Sequence, residues 1–143
     1  MDQTSLVREQ IDGGEKLIRE LIGLGFELSA GVWAKIEDDG RDYLYLVTPR
    51  VENADPRPAY AEVSAAQEAL ENAGLHGMEQ IDQFGIKLIP PTHSLAEAIL
   101  DRYAKYPGPI ATWFNGSRFG STSVEGAYIY PPSLFQPVAT ATP

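Results

Sequence analysis

The chain has 143 residues, of which 43% are hydrophobic, and this is the size and composition of one globular domain with a core of its own. It contains no cysteine and only two histidines, so disulfides, thiol nucleophiles, thiolate zinc sites and iron–sulfur clusters are excluded, and we predict neither a metal site nor a cofactor. The net charge of −9 opposes contact with phosphate backbones, and nucleic acid is therefore not predicted as a partner.

The sequence shows no membrane or export signal. No apolar run approaches the roughly 18 residues that a membrane span requires. The start, MDQTSLVREQIDGG, lacks the basic segment followed by an apolar one that secretory signals have. We therefore expect a cytoplasmic protein of bacterial or viral type, without a membrane partner.

The first predicted element is a helix in SLVREQIDGGEKLIRELIGLG. Apolar residues recur there at helical spacing from Val7 to Ile22. Gly13 and Gly14 interrupt the pattern, and each costs about 1 kcal/mol relative to alanine. We predict a kink or a break at the glycines, with Asp12 able to cap a second helical piece.

Two strands follow and form a predicted β-hairpin. FELSAGVWAKIE, residues 26–37, alternates with period two, which is typical of a strand with one buried face. Asp39 and Gly40 suit a type I′ turn. DYLYLVTP, residues 42–49, is the returning strand.

The middle of the chain predicts a helix, a strand and another helix. The second helix follows prolines 56 and 58 and carries an apolar stripe from Tyr60 to Ala73. FGIKLIP is a short apolar strand of the buried kind. The third helix begins at a capping box formed by Ser94 and Glu97.

The last two predicted strands are IATWF and GAYIY, joined by a glycine- and serine-rich loop. Residues 133–143 are low in charge and are predicted to be a mobile tail. The order helix–strand–strand–helix–strand–helix–strand–strand predicts an α+β fold. We expect a single domain spanning residues 1–143, with three helices and a mixed or antiparallel sheet of about five strands.

The loop at residues 115–125 is the first candidate site. Arg118 is an isolated cation there, with Trp113 and Tyr128 among the nearby aromatic residues. An arginine beside aromatic and hydroxyl groups suits a carboxylate or a phosphate. The loop does not match a phosphate-binding motif, which requires a following helix or lysine. A solvated hairpin tip explains the same residues, and both interpretations stay open.

Trp33 marks the second candidate site. It lies on the polar face of the first strand, and Tyr43 and Tyr45 lie on the neighbouring strand. Aromatic residues on a partly exposed face are enriched at interaction sites, which predicts a partner-binding surface. The alternative is that a helix covers this face and that Trp33 belongs to the core.

Other chemical motifs fail on spacing. The acids of EDDGRD lack the alternating ligands and the distal glutamate of a calcium loop. The strand with Lys87 lacks the second acid that a magnesium-dependent nuclease requires. Nothing in the spacing brings His93, Ser94 and Asp101 together as a catalytic triad. We assign no catalytic residue.

Three segments, VWAKIEDDGRDYLYLVTP, IKLIP and VEGAYIYPP, resemble a family of short, stand-alone bacterial proteins of uncharacterised function. The likeness spans Phe26 to Pro132. These motifs are not specific to any chemistry. The resemblance implies a single compact domain and supplies no activity.

We predict a non-enzymatic cytoplasmic interaction or accessory protein. It would contact a protein partner, or a second copy of itself, through a strand edge or through the face at Trp33. One alternative is a small-molecule-binding protein or a hydrolase, with the 115–125 loop over the pocket and Arg118 holding an anion. Another is an acidic inhibitor that masks a basic, nucleic-acid-binding surface.

Overall fold

The computed structural model describes residues 8–36, 42–73, 85–106, 108, 111–119 and 122–135. The helices and strands are α1 (Arg8–Gly23), β1 (Ala30–Ile36), β2 (Asp42–Val47), α2 (Arg57–Asn72), β3 (Ile86–Ile89), α3 (Ser94–Lys105), β4 (Thr112–Phe119) and β5 (Thr122–Ile129). The predicted α+β class with three helices is confirmed. Of the two sheet types considered, the structure has the mixed one.

The strands form one sheet in the order β3–β2–β1–β5–β4. β3 runs parallel to β2, and the other neighbouring pairs are antiparallel. The hairpins β1–β2 and β4–β5 join through β1 and β5, so these two strands lie inside the sheet. β3 and β4 form its two edges.

Helices cover both faces of the sheet. α1 and α2 pack on the first face, and α3 packs on the second. Because successive strand residues point to opposite faces, Trp33 belongs to the first core, while Val32 and Ala34 belong to the second. The prediction of one polar face for β1 is therefore wrong.

α1 runs without a break through Gly13 and Gly14, so the predicted kink is wrong. Both glycines are buried. The Tyr130 hydroxyl and the Trp33 indole nitrogen lie where a Cβ on Gly14 would stand. Packing against the sheet therefore outweighs the cost of about 1 kcal/mol for each glycine.

α1 ends in a glycine cap, and the first strand begins several residues later than predicted. The Phe26 N–H donates to the Leu21 carbonyl (2.9 Å), and the Gly25 N–H donates to the Ile22 carbonyl (3.0 Å). Gly25 has a φ of 87°, which L-residues rarely adopt. Phe26 is thus part of the helix cap, and β1 begins at Ala30 rather than at residue 26.

His93 caps the N-terminus of α3, so the predicted capping box with Ser94 as the cap is wrong. The His93 backbone is extended, and its Nδ1 accepts the Leu95 N–H at 3.1 Å. The His93 carbonyl accepts the Glu97 N–H at 2.8 Å, as the first carbonyl of a helix does. Ser94 is the first helical residue.

The chain stays packed for several residues after β5. Pro132–Leu134 form a 3-10 turn, and the Phe135 ring stacks on Tyr103 of α3 with centroids 6.1 Å apart. The predicted mobile tail therefore does not start at residue 133. Residues 136–143 and the predicted turn at residues 39–40 lie outside the part of the chain that the structure describes.

Candidate functional site

Trp33 is a core residue. Only 2% of its surface is accessible, and it packs in the cluster formed with α1 and α2. The expectation of a partly exposed face at Trp33 is therefore wrong, and the alternative of a covering helix describes the structure. A side chain buried in this way is not presented to a partner.

Tyr43 and Tyr45 lie on the opposite face of the sheet from Trp33. Trp33 pairs with Leu44 on β2, so the residues flanking Leu44 point the other way. The two tyrosine rings meet edge to face with centroids 6.3 Å apart, and Lys87 Nζ lies 4.5 Å from the Tyr43 centroid. Both tyrosines are buried. The three predicted aromatic residues therefore do not form one surface.

A chain of two hydrogen bonds ties Trp33 to α1. Trp33 Nε1 donates to the Tyr130 hydroxyl at 3.0 Å, and that hydroxyl donates to the Ile11 carbonyl at 2.6 Å. Tyr128 packs edge to face against Tyr130, with centroids 5.1 Å apart. The absence of a side chain at Gly14 leaves room for the hydroxyl between the helix and the sheet.

Tyr103 extends this network to α3. Its hydroxyl donates to the Tyr130 carbonyl at 2.5 Å. Burial raises the pKa of both the Tyr103 and the Tyr130 hydroxyls above the ordinary tyrosine value. Both groups therefore stay protonated at neutral pH and form neutral hydrogen bonds that join the two helix layers to β5.

Sequence reasoning does not find the structural roles of Gly14, Tyr103 and Tyr130, and it interprets Gly14 only as a helix breaker. A signal was present, since a strongly amphipathic helix that keeps two glycines in its interior indicates a close approach of another group. The identity of that group depends on contacts between distant parts of the chain.

Trp113 and Tyr128 come into register with Trp33. Tyr128 on β5 pairs with Trp33 on β1 and with Trp113 on β4, so the three residues occupy one row across the sheet. Arg118 lies farther along β4, paired with Ser123. The structure thus separates Arg118 from this row.

The stretch 115–125, predicted as a loop over a pocket, is mostly strand. β4 extends to Phe119 and β5 begins at Thr122. Phe119 pairs with Thr122. The expectation of a long loop is wrong because backbone pairing between β4 and β5 occupies most of this stretch.

The two edges of the sheet differ. At the β3 edge, the Ile89 carbonyl accepts the Thr48 N–H at 3.0 Å and so faces β2. Backbone groups alternate in direction along a strand, and the Leu88 N–H accordingly points outward. It donates to the Tyr60 hydroxyl of α2 at 2.9 Å. A side chain therefore satisfies this outward group of the β3 edge.

At the β4 edge, the direction of the backbone follows from β5. The Tyr130 N–H donates to a β1 carbonyl at 3.1 Å, so the groups of Ile129 face β4 instead. Ile129 pairs with Thr112. The backbone groups of Thr112 therefore face β5. Because the direction of these groups alternates along a strand, the N–H and C=O groups of Trp113 and Asn115 point away from β5, toward the outside of the sheet.

No protein-family model matches the chain, and neither does any curated protein or solved structure. Across the described ranges, no three His, Cys, Asp or Glu side chains are grouped as they would be to hold a metal ion. The helices within those ranges are too short or too polar to cross a lipid bilayer.

Proposed function

We propose that this chain is a non-enzymatic interaction protein that binds an extended protein segment along the outer edge of β4. One observation carries this function: β4 is an eight-residue terminal strand of the sheet, and Trp113 and Asn115 direct backbone groups outward. Outward N–H and C=O groups at a sheet edge pair readily with an added strand.

The contrast between the two edges supports this assignment. Natural edge strands are protected from pairing by short length, by lysine or by a covering side chain. β3 has only four residues, contains Lys87, and has the Tyr60 hydroxyl on its outward amide. β4 is twice as long, and Arg118 is the one charged residue in its sequence, TWFNGSRF. Within the described part of the chain, protection of this kind is found at β3 and not at β4, which fits a binding role for β4.

The described polar groups favour binding over catalysis. The hydroxyls of Tyr103 and Tyr130 are engaged in hydrogen bonds that hold the helices to the sheet. The stretch that was expected to cover a substrate pocket forms a paired hairpin instead. The function that uses the observed geometry is therefore strand addition.

Peptide selection with two matched variants tests this function. Random twelve-residue peptides displayed on phage are selected on the wild-type chain. Asn115→Pro removes an outward N–H without removing an inward one, whereas Asn115→Ala keeps the N–H and changes only the side chain. We expect selected peptides to bind the wild type and Asn115→Ala and to lose binding to Asn115→Pro. Equal binding to all three proteins, or no enrichment on chains immobilised too far apart to contact one another, would contradict strand addition.

A further inference from the structure

We infer, on the basis of the function proposed above, that the strand added at the β4 edge is β4 of a second copy of this chain, paired antiparallel about a two-fold axis. The juxtaposition behind this inference is one edge that a side chain protects and one edge for which the described residues provide no such protection, on the same five-stranded sheet. The result is a closed dimer with a continuous ten-stranded sheet.

The outward groups of β4 are complementary to themselves. In an antiparallel pair of strands, a residue whose backbone N–H and C=O groups face the other strand lies opposite a residue whose groups face back toward it. Trp113 and Asn115 are the outward residues that the hydrogen bonding of β5 defines. Pairing these residues between two copies puts the two-fold axis at residue 113, 114 or 115. Each of these registers exchanges backbone hydrogen bonds between the two copies.

Protection of β3 limits the assembly to two copies. A sheet with two open edges can add copies head to tail without an end, whereas a two-fold contact uses the same surface on both partners and closes. Because the Tyr60 hydroxyl already accepts the Leu88 N–H, β3 is a poor pairing partner for β4 of another copy. Of the described strands, β4 is the sheet edge that remains, and it can pair with β4 of a second copy.

The charge of β4 permits this contact although the chain as a whole carries −9. β4 contains no acidic residue, so the acids of the two copies do not meet along the strand pair. With the axis at residues 113–115, the two copies of Arg118 stand six to ten residues apart, or roughly 20–33 Å at 3.3 Å per residue. That distance exceeds the Debye length of about 8 Å at physiological salt, so repulsion between the arginines is largely screened.

Sedimentation equilibrium over a dilution series tests the dimer. We expect the wild type and Asn115→Ala to sediment with twice the chain mass at high concentration and to dissociate on dilution. Asn115→Pro is expected to remain at the single-chain mass while its circular dichroism stays that of the wild type. A wild-type protein that is monomeric throughout, or an Asn115→Pro protein that dimerises equally, would overturn the inference.

Disulfide trapping gives a second test that does not depend on proline. The chain has no cysteine of its own, so single cysteines can be placed at Trp113, Phe114 and Asn115 in separate variants. The residue on a two-fold axis lies opposite itself, with Cα atoms about 4.5–5.5 Å apart, which suits a disulfide. We expect mild oxidation to trap a covalent dimer at one of these positions, and not with Glu71→Cys on the exposed side of α2. Equal trapping at Glu71→Cys, or none at all, would contradict the inference.

Failure of the dimer can be told apart from failure of the proposed function. If the wild type is monomeric and the amides of Trp113 and Asn115 exchange rapidly with solvent, the edge is open and only the second copy is wrong as partner. If the monomer protects those amides from exchange, the chain covers its own edge. Strand addition at β4 is then wrong as well.

Discussion

Gly14 lies inside a helix, yet replacing it with alanine should destabilise the protein. At an ordinary helix position this substitution stabilises by about 1 kcal/mol, because alanine restricts the unfolded chain and glycine does not. At Gly14, a Cβ would clash with the Tyr130 hydroxyl and stand 3.1 Å from Trp33 Nε1. The added methyl group therefore displaces the hydroxyl that links the helix to the sheet.

The expected loss can be built from its parts. Overpacking of a filled core costs about 1–3 kcal/mol. Weakening the bonds from Trp33 to Tyr130 and from Tyr130 to Ile11 leaves buried polar groups poorly satisfied, at about 1–3 kcal/mol. After the gain of about 1 kcal/mol in helix propensity, we expect the free energy of unfolding to fall by roughly 1–5 kcal/mol. Urea unfolding followed by tryptophan fluorescence measures it.

Gly23→Ala is the matched control, because Gly23 is exposed at the end of α1 and a Cβ there meets no atom within 4 Å. It should be neutral or stabilising. In a Tyr130→Phe background, which lacks the clashing hydroxyl, Gly14→Ala should cost at least about 1 kcal/mol less than in the wild type. If Gly14→Ala stabilises the protein as Gly23→Ala does, the close approach of Tyr130 to α1 is wrong.

Three further predictions concern the hydrogen bonds of the fold. His93→Ala removes the cap of α3 and should lower the free energy of unfolding by about 1 kcal/mol in urea titrations. His93→Asn should lower it by much less, because asparagine is itself a good N-cap residue. Tyr60→Phe removes the acceptor of the Leu88 N–H and should cost about 1 kcal/mol in the same assay; no loss would show that this bond is not formed. Burial raises the pKa of Tyr103 and Tyr130 in the folded chain. The free energy of unfolding should therefore keep its full value below the tyrosine pKa of the unfolded chain, about 10. Above that pH it should fall by up to about 1.4 kcal/mol per pH unit for each tyrosine. Tyr103→Phe should reduce that slope, and an unchanged slope would contradict its burial.

The order of elements could be predicted because each depends on local signals. Helical spacing marks α1, and the glycines after it supply the cap that the structure forms at Gly25. The strands of the first hairpin follow from period two. These patterns involve residues a few positions apart, where propensity and turn chemistry decide the outcome.

The environment of each face could not be predicted in the same way. Trp33 and its hydrogen-bond partner Tyr130 are 97 residues apart in the chain, so period two alone does not say whether solvent or a helix lies over Trp33. The error at α1 has the same origin, because the reason for Gly14 is a hydroxyl from the other end of the chain. Burial by distant elements overrode local preference at both positions.

The candidate site depends on the order of strands in the sheet. The sequence predicts a final hairpin, but not which of its strands joins β1 and which forms the edge. The structure places β5 inside and β4 outside. The sequence points to Arg118 because of its isolated charge, whereas the proposed pairing uses the backbone of Trp113 and Asn115.

The exchange rates of the β4 amides, measured by nuclear magnetic resonance at low and high protein concentration, test the β4 edge most directly. We predict that the inward amide of Phe114 exchanges slowly at both concentrations. The outward amides of Trp113 and Asn115 should exchange rapidly in dilute protein and slowly in concentrated protein, as pairing with a second copy protects them. Slow exchange of the outward amides in the dilute monomer would contradict the open edge, and rapid exchange at both concentrations would contradict the dimer.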